Sequence, residues 1–211
     1  MESLLAAVAG FIDDAVQPVD SPLAPSASAW SATLDRLGDA PVTLSVPENR
    51  GIQGIRASDP AFDLAAFLVR VGEMFSAYHQ AVDRGDLAPV RRFVDETAYV
   101  QLAAAAEKTP PAGFRSLTVR SIRPMTALHE DGLDLVRVFI TAQQGDSDEL
   151  LCEYWELIRK RGTLTKPGLD LTHCPNCGAP VDGIDPTRCA YCSTRLSDPA
   201  LDWVVRKITA Q

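Results

Sequence analysis

Two cysteine pairs of identical spacing, Cys174-Pro175-Asn176-Cys177 and Cys189-Ala190-Tyr191-Cys192, constrain this chain more than any other feature of its sequence. Two residues between cysteines let both thiolates of a tight turn face one ion. Two such turns supply four sulfurs in a tetrahedron, which suits zinc. Pro175 stiffens the first turn, and Gly178 is free to take the left-handed conformation that aims backbone N–H groups at sulfur. Ser193 stands at the equivalent place of the second pair. The spacing predicts one structural Zn²⁺ held by Cys174, Cys177, Cys189 and Cys192 in a zinc ribbon over residues 166–199. Iron also suits four thiolates, and spacing does not separate the two metals. A redox dithiol would leave the second pair without a purpose. Disulfides would need an oxidising compartment. His173 is expected beside the site or facing solvent rather than as a fifth ligand, and Cys152 is expected to be a small buried apolar residue.

The compartment follows from the amino-terminal region. Its longest apolar run, Leu4 to Ile12, has nine residues, well short of the roughly 20 that a membrane helix needs. No Lys or Arg precedes Arg36, so neither a secretory signal nor a mitochondrial presequence is expected. The expectation is a soluble, cytoplasmic chain, at most peripheral to a membrane. Its 20 Lys and Arg against 28 Asp and Glu give a net charge of −8. That balance argues against nucleic acid and anionic lipid surfaces, which recruit basic clusters. The cluster Arg159, Lys160, Arg161 and Lys166 reads as a solvated strand end. Within residues 173–198, Asp182, Asp185 and Asp198 outnumber Arg188 and Arg195, and four thiolates with Zn²⁺ take this segment from −1 to −3. No nucleic-acid partner is expected at the ribbon.

Residues 1–57 read as an appendage: an amphipathic helix over residues 3–16, a Pro/Ser/Ala-rich linker from Pro18 to Ala29, then Trp30, Leu34 and Leu37. The helix is a candidate for docking on a partner or on a second copy of the chain. A main domain is expected from Ser58-Asp59-Pro60, a cap followed by Pro at the first helical position. Leu64, Phe67, Leu68, Val71, Phe75, Tyr78 and Val82 then keep to one helical face until Gly85. Asp86 caps a second helix, and a third is expected over residues 96–108. The period then switches to two. Strands are expected over residues 117–128, 133–142 and 149–159, separated by the turn signals Glu130-Asp131-Gly132 and Gly145-Asp146-Ser147. Val136, Val138, Ile140 and Ala142 share one face of the middle strand, while Leu133, Leu135, Arg137 and Phe139 share the other. Such short gaps allow only an antiparallel meander, and helices before hairpin-linked strands make an α+β order.

The run Asp59-Pro60-Ala61-Phe62, the pair Phe67-Leu68, Gly85-Asp86-Leu87 and the strand Glu153-Tyr154-Trp155-Glu156-Leu157-Ile158-Arg159 resemble the Tim-forty-four-like domain family, in its bacterial form. Trp203-Val204-Val205-Arg206-Lys207-Ile208 is similar to the family's last strand, so the likeness covers residues 58–165 and 200–211, with the ribbon inserted between. The resemblance implies a nuclear-transport-factor-two-like cone, a curved antiparallel sheet wrapped on helices, and a non-enzymatic adaptor that contacts a protein partner or an apolar or lipid ligand. Asp13 and Asp14 stand where the mitochondrial relatives carry basic residues, so mitochondrial import is not carried over. A pocket walled by Phe67, Val71, Phe75, Tyr78, Tyr99 and Trp155 is expected to bind rather than catalyse. The alternatives are an enzyme using that pocket, with Tyr78, His79, His129, Asp134 and Glu153 as candidates at no readable spacing, or nucleic-acid binding through the ribbon.

Overall fold

The computed structural model describes residues 43–44, 50–107, 117–145, 150–166, 168, 170–181 and 185–210, all within one compact unit, Val42–Gln211. The helix expected over residues 3–16, the linker after it and the set Trp30, Leu34 and Leu37 lie outside the described residues.

The first described helix, α1 (Arg50–Ser58), falls where the sequence pattern suggested appendage and boundary. Ile52 and Ile55 are its buried anchors, and Gly51 and Gly54 let it approach the sheet closely. A Cβ on Gly51 would stand 1.7 Å from the carbonyl oxygen of Ala127, and one on Gly54 would stand 2.3 Å from Nε2 of His129. Ser58-Asp59-Pro60 is therefore a helix end and not a helix start. The Asp59 carboxylate cannot cap, because it is committed to Arg159 and Thr165. Asp63 caps α2 (Leu64–Arg84) instead, accepting from the N–H of Ala66 at 2.9 Å.

The long apolar face of α2 is as the periodicity predicts, and Gly85 closes the helix at φ 69°. Asp86 accepts from Ala88, but the element it opens is a 3-10 turn over Ala88–Arg92. Helix α3 (Glu96–Ala106) starts on Asp95, which accepts from the N–H groups of Thr97 and Ala98, and stops short of the Lys108 expected.

The sheet holds β1 (Thr43–Leu44), β2 (Leu117–Glu130), β3 (Leu133–Gln144), β4 (Leu150–Lys160) and β5 (Val204–Ala210) in that order. The four strands from β2 to β5 pair antiparallel; only the two-residue β1, absent from the sequence reading, runs parallel to its neighbour β2. Asp131 and Gly132, both at positive φ, make the tight β2–β3 turn. Register shifts in β2 and between β4 and β5 bend the sheet, which is curved and unclosed. The inner face of β3 is as expected: Val136, Val138, Ile140 and Ala142 are fully buried, while Arg137 and Phe139 lie on the opposite side. Cys152 departs from expectation. It is half-buried rather than buried, because its register partner Thr141 places it on the outer face.

Strand β5 follows from Trp203, which is too large to leave in water. It packs on Phe67 at 4.9 Å and on Phe62 at 5.9 Å between ring centroids, and Val204 and Val205 continue the burial along β4. Residues 161–203 are thus the connection of one antiparallel pair, β4 and β5.

A buried ionic cluster joins these pieces. Arg159 on β4 donates through Nη1 to Asp59 Oδ2 at 2.8 Å and to Thr165 Oγ1 at 3.0 Å; its Nη2 lies 3.9 Å from Asp134 Oδ2. Its guanidinium also sits 4.7 Å over the Trp203 ring. One side chain therefore ties the end of α1, the sheet, the loop after β4 and the approach to β5.

Candidate metal centre

The connection between β4 and β5 begins with two copies of one local design. Each copy opens with an aspartate whose Oδ1 accepts from the N–H and hydroxyl of a threonine two residues on: Asp170 to Thr172 and Asp185 to Thr187. This aspartate turn aims the chain into the first cysteine of each pair. The Cys174 N–H then donates to Ala179 O at 2.8 Å and the Cys189 N–H to Thr194 O at 3.0 Å, closing each pair into a small knuckle. Gly178 and Ser193 both adopt positive φ, 74° and 59°, and their N–H groups both return to the first cysteine's carbonyl at 2.9 Å. The expectation for Gly178 is met, and Ser193 takes the same conformation despite its side chain. The repeat Asp-x-Thr-x-Cys-x-x-Cys is legible in the sequence, and its aspartates and threonines build the turns that the cysteine spacing alone does not announce.

The two knuckles face each other across a small apolar core of Cys174, Cys189 and Leu196, packed against Ala179 and Val181. All four Sγ atoms lie within 4.8 Å of one another; Cys174 to Cys192 is 3.8 Å and Cys177 to Cys189 is 3.7 Å. Zinc–sulfur bonds of about 2.3 Å in a tetrahedron require sulfurs about 3.8 Å apart. The cluster can therefore hold a metal ion, and none of its cysteines is in a disulfide. Donors for thiolates are in place: the N–H of Asn176 lies 3.4 Å from Cys174 Sγ, and its side-chain amide 3.7 Å from Cys192 Sγ. A hydrogen bond from the Thr194 side chain, then one from its backbone, pulls the Cys192 thiol down to about 6. His173 does not join the cluster; its Nδ1 lies 2.7 Å from Asp170 Oδ1. Despite burial, which acts the other way, Thr172 and His173 hold the Asp170 carboxyl down at about 2.

The two-knuckle connection is tied internally and to the rest of the unit. Lys166 Nζ donates to the carbonyls of Pro175 and Asn176 in the first knuckle, and the Lys160 N–H donates to Pro199 O at 2.7 Å. Arg195 in the second knuckle reaches Glu96 on α3 at 3.5 Å, and Arg70 on α2 pairs with Asp202. A shallow cleft at this junction is lined by Arg70, Arg92, Asp170, His173, Asp202 and Trp203.

The residues expected to wall a pocket divide into three places. Phe75 and Tyr78 meet Trp155, with ring centroids 5.8 and 5.7 Å apart; Phe67 belongs to the Phe62–Trp203 group; Tyr99 lies under Arg91 on α3. Phe67, Val71, Phe75 and Trp155 are 5% exposed or less. The titratable candidates form two pairs across the fold. His129 Nδ1 lies 2.5 Å from Asp134 Oδ1 across the β2–β3 hairpin. His79 Nε2 lies 3.3 Å from Glu153 Oε2, which also accepts from Trp155 Nε1 at 2.7 Å. Burial, and then the Glu153 charge, push the Tyr78 hydroxyl up to about 12.

No family model matches this chain, and no curated protein or solved structure matches it. Among the described residues, no helix is long and apolar enough to cross a membrane.

Proposed function

We propose that the chain is a non-enzymatic binding protein of the Tim-forty-four-like kind. Its α+β cone carries an inserted ribbon that holds one Zn²⁺ as a structural clasp. The observation that carries this reading is the placement of the four sulfurs. They lie inside the connection of two paired strands, and a tetrahedral set of four protein sulfurs offers no open position to a substrate. Reduced cysteines at thiolate spacing agree with a cytoplasmic setting. Phe75 and Tyr78 pack on Trp155 and Phe67 packs with Phe62 and Trp203, so this reading moves contact with a macromolecular partner from the interior to the surface.

A second reading, acid–base chemistry, is favoured by the buried His79–Glu153 pair. Metabolite extract incubated with the purified protein, and followed by mass spectrometry, separates the two. The binding reading expects no metabolite to be consumed. Consumption that disappears in His79→Ala or Glu153→Gln would replace it with the enzyme. Metal analysis of protein purified without added zinc is expected to find about one zinc per chain.

A further inference from the structure

The sheet face turned away from the helices opposes the charge of the whole chain. Arg120 and Arg123 on β2, Arg137 on β3, and Arg206 and Lys207 on β5 share its centre, by register and by their contacts. The carboxylate among them is Glu156, and Glu130 and Lys160 stand at the far hairpin end. Among the described residues, five cations stand against one anion at the centre of this face, on a chain whose net charge is −8.

The cations are held in place. One Glu156 carboxylate accepts from Arg137 Nη2 at 2.6 Å on one oxygen and from Arg206 Nη2 at 2.8 Å on the other. The two arginine side chains remain 51% and 37% exposed, and each has five N–H donors, more than the Glu156 contacts use. Gln143 fixes Arg120. Between them lie two half-buried rings, Phe139 and Tyr154, with centroids 4.8 Å apart, and the Arg123 guanidinium stands 5.4 Å over Phe139.

We propose that this face binds a single-stranded nucleic acid, with phosphates on Arg137, Arg206 and their neighbours and bases stacked on Phe139 and Tyr154. The inference rests on the binding reading above and names its partner class. A second copy of the chain docked through the same face would set the five cations against five more, which is repulsive. An acidic peptide would satisfy the charges but leave the two ring faces without a role. A duplex hides its base faces, and a sheet face with short projections does not enter its grooves. A single strand uses both features. The unfavourable charge balance of the ribbon does not bear on this face, which belongs to other elements.

Fluorescence anisotropy of the full chain with labelled oligothymidylate and oligouridylate of about 15 nucleotides tests this. Micromolar binding at about 50 mM salt is expected, with affinity falling on a log–log slope of about −2 to −3 for three or four neutralised phosphates. Arg137→Gln with Arg206→Gln should make the slope shallower by about one. Phe139→Ala with Tyr154→Ala should weaken binding about tenfold and leave the slope alone. Phe139→Leu with Tyr154→Leu keeps the apolar cover and should show the same loss, so a folding defect is separable from a lost stack. Absence of binding at about 50 mM salt overturns the proposal. So does a duplex that binds as tightly as the single strand. Equal displacement by polyglutamate, with no effect of the ring variants, assigns the face to an acidic protein instead. The metabolite experiment is unaffected by any of these outcomes, so failure here and failure of the binding reading are distinguishable.

Discussion

Replacing Arg159 with Met tests whether the buried ionic cluster holds the unit together. Arg159 is 1% exposed, and Asp59 and Asp134 are 0% exposed. The substitution keeps most of the apolar stem and removes the only guanidinium shown between these two carboxylates. Breaking a buried pair costs about 3–5 kcal/mol, because the partner charge stays in low dielectric without its counter-charge, although Asp59 retains Thr165 and Asp134 retains His129. Loss of the cation over Trp203 and Phe62 adds about 1 kcal/mol. For a unit of this size each kcal/mol lowers Tm by about 2–4 °C, so a fall of roughly 10–20 °C is expected. Thermal unfolding followed by circular dichroism, with urea unfolding alongside, reads it directly. Adding Asp59→Asn and Asp134→Asn to Arg159→Met should recover part of the loss, since neutralising a whole network is far cheaper than orphaning half of it. A single variant within about 2 °C of the parent would refute this reasoning. A triple variant no more stable than the single would do the same.

Cys177→Ser should lower bound zinc well below one per chain and speed amide exchange over residues 170–196, while the sheet amides keep their protection; mass spectrometry of exchanged peptides measures both. Trp203→Ala should cost about 3–5 kcal/mol in urea unfolding, because the ring is 5% exposed and packs on Phe62, Phe67 and Arg159. Gly51→Ala drives a methyl into the Ala127 carbonyl and should destabilise by about 1–3 kcal/mol, whereas alanine at an unobstructed helix position would stabilise. Burial alone would raise the Glu156 carboxyl, but hydrogen bonds from Arg137 and Arg206 outweigh it and hold the group below its ordinary 4.5. A lowered folded value means that its stabilisation is complete above that pH and is lost as pH falls through the folded value. Parent and Glu156→Gln should therefore converge in stability as pH falls through the folded value, which lies below 4.5, and unfolding curves extended into the acid range would show it.

Local signals were the legible part of this fold. The change of period between residues 84 and 117, the stop at Gly85, the Asp131-Gly132 turn and the paired cysteines each express a constraint carried by neighbouring residues. Asp59 misled for the opposite reason. Its sequence setting is that of a cap, but its partner Arg159 lies one hundred residues away, and a buried guanidinium outcompetes a few backbone N–H groups. Helix α1 was hidden by Gly51 and Gly54, poor helix formers whose value is their closeness to β2. His79 and Glu153 come from different elements, so no spacing announces them. The basic sheet face was hidden by averaging. Residues on three strands contribute it, Arg120 and Arg206 at register shifts that break the period of two, while net charge sums over every face at once.

The placement of the four-cysteine segment between β4 and β5 also bears on the order of assembly. Before β5 can pair with β4, the chain must close a loop of roughly forty residues, and loops of that length are entropically slow to close. A metal ion held by the four cysteines would draw the two knuckles together and remove much of the slack in advance, so that β5 would search from a short tether. Metal uptake would then belong to the rate of folding as much as to its equilibrium. Refolding started with metal present should dock the last strand sooner than refolding into a chelator, and Trp203 fluorescence would time the difference.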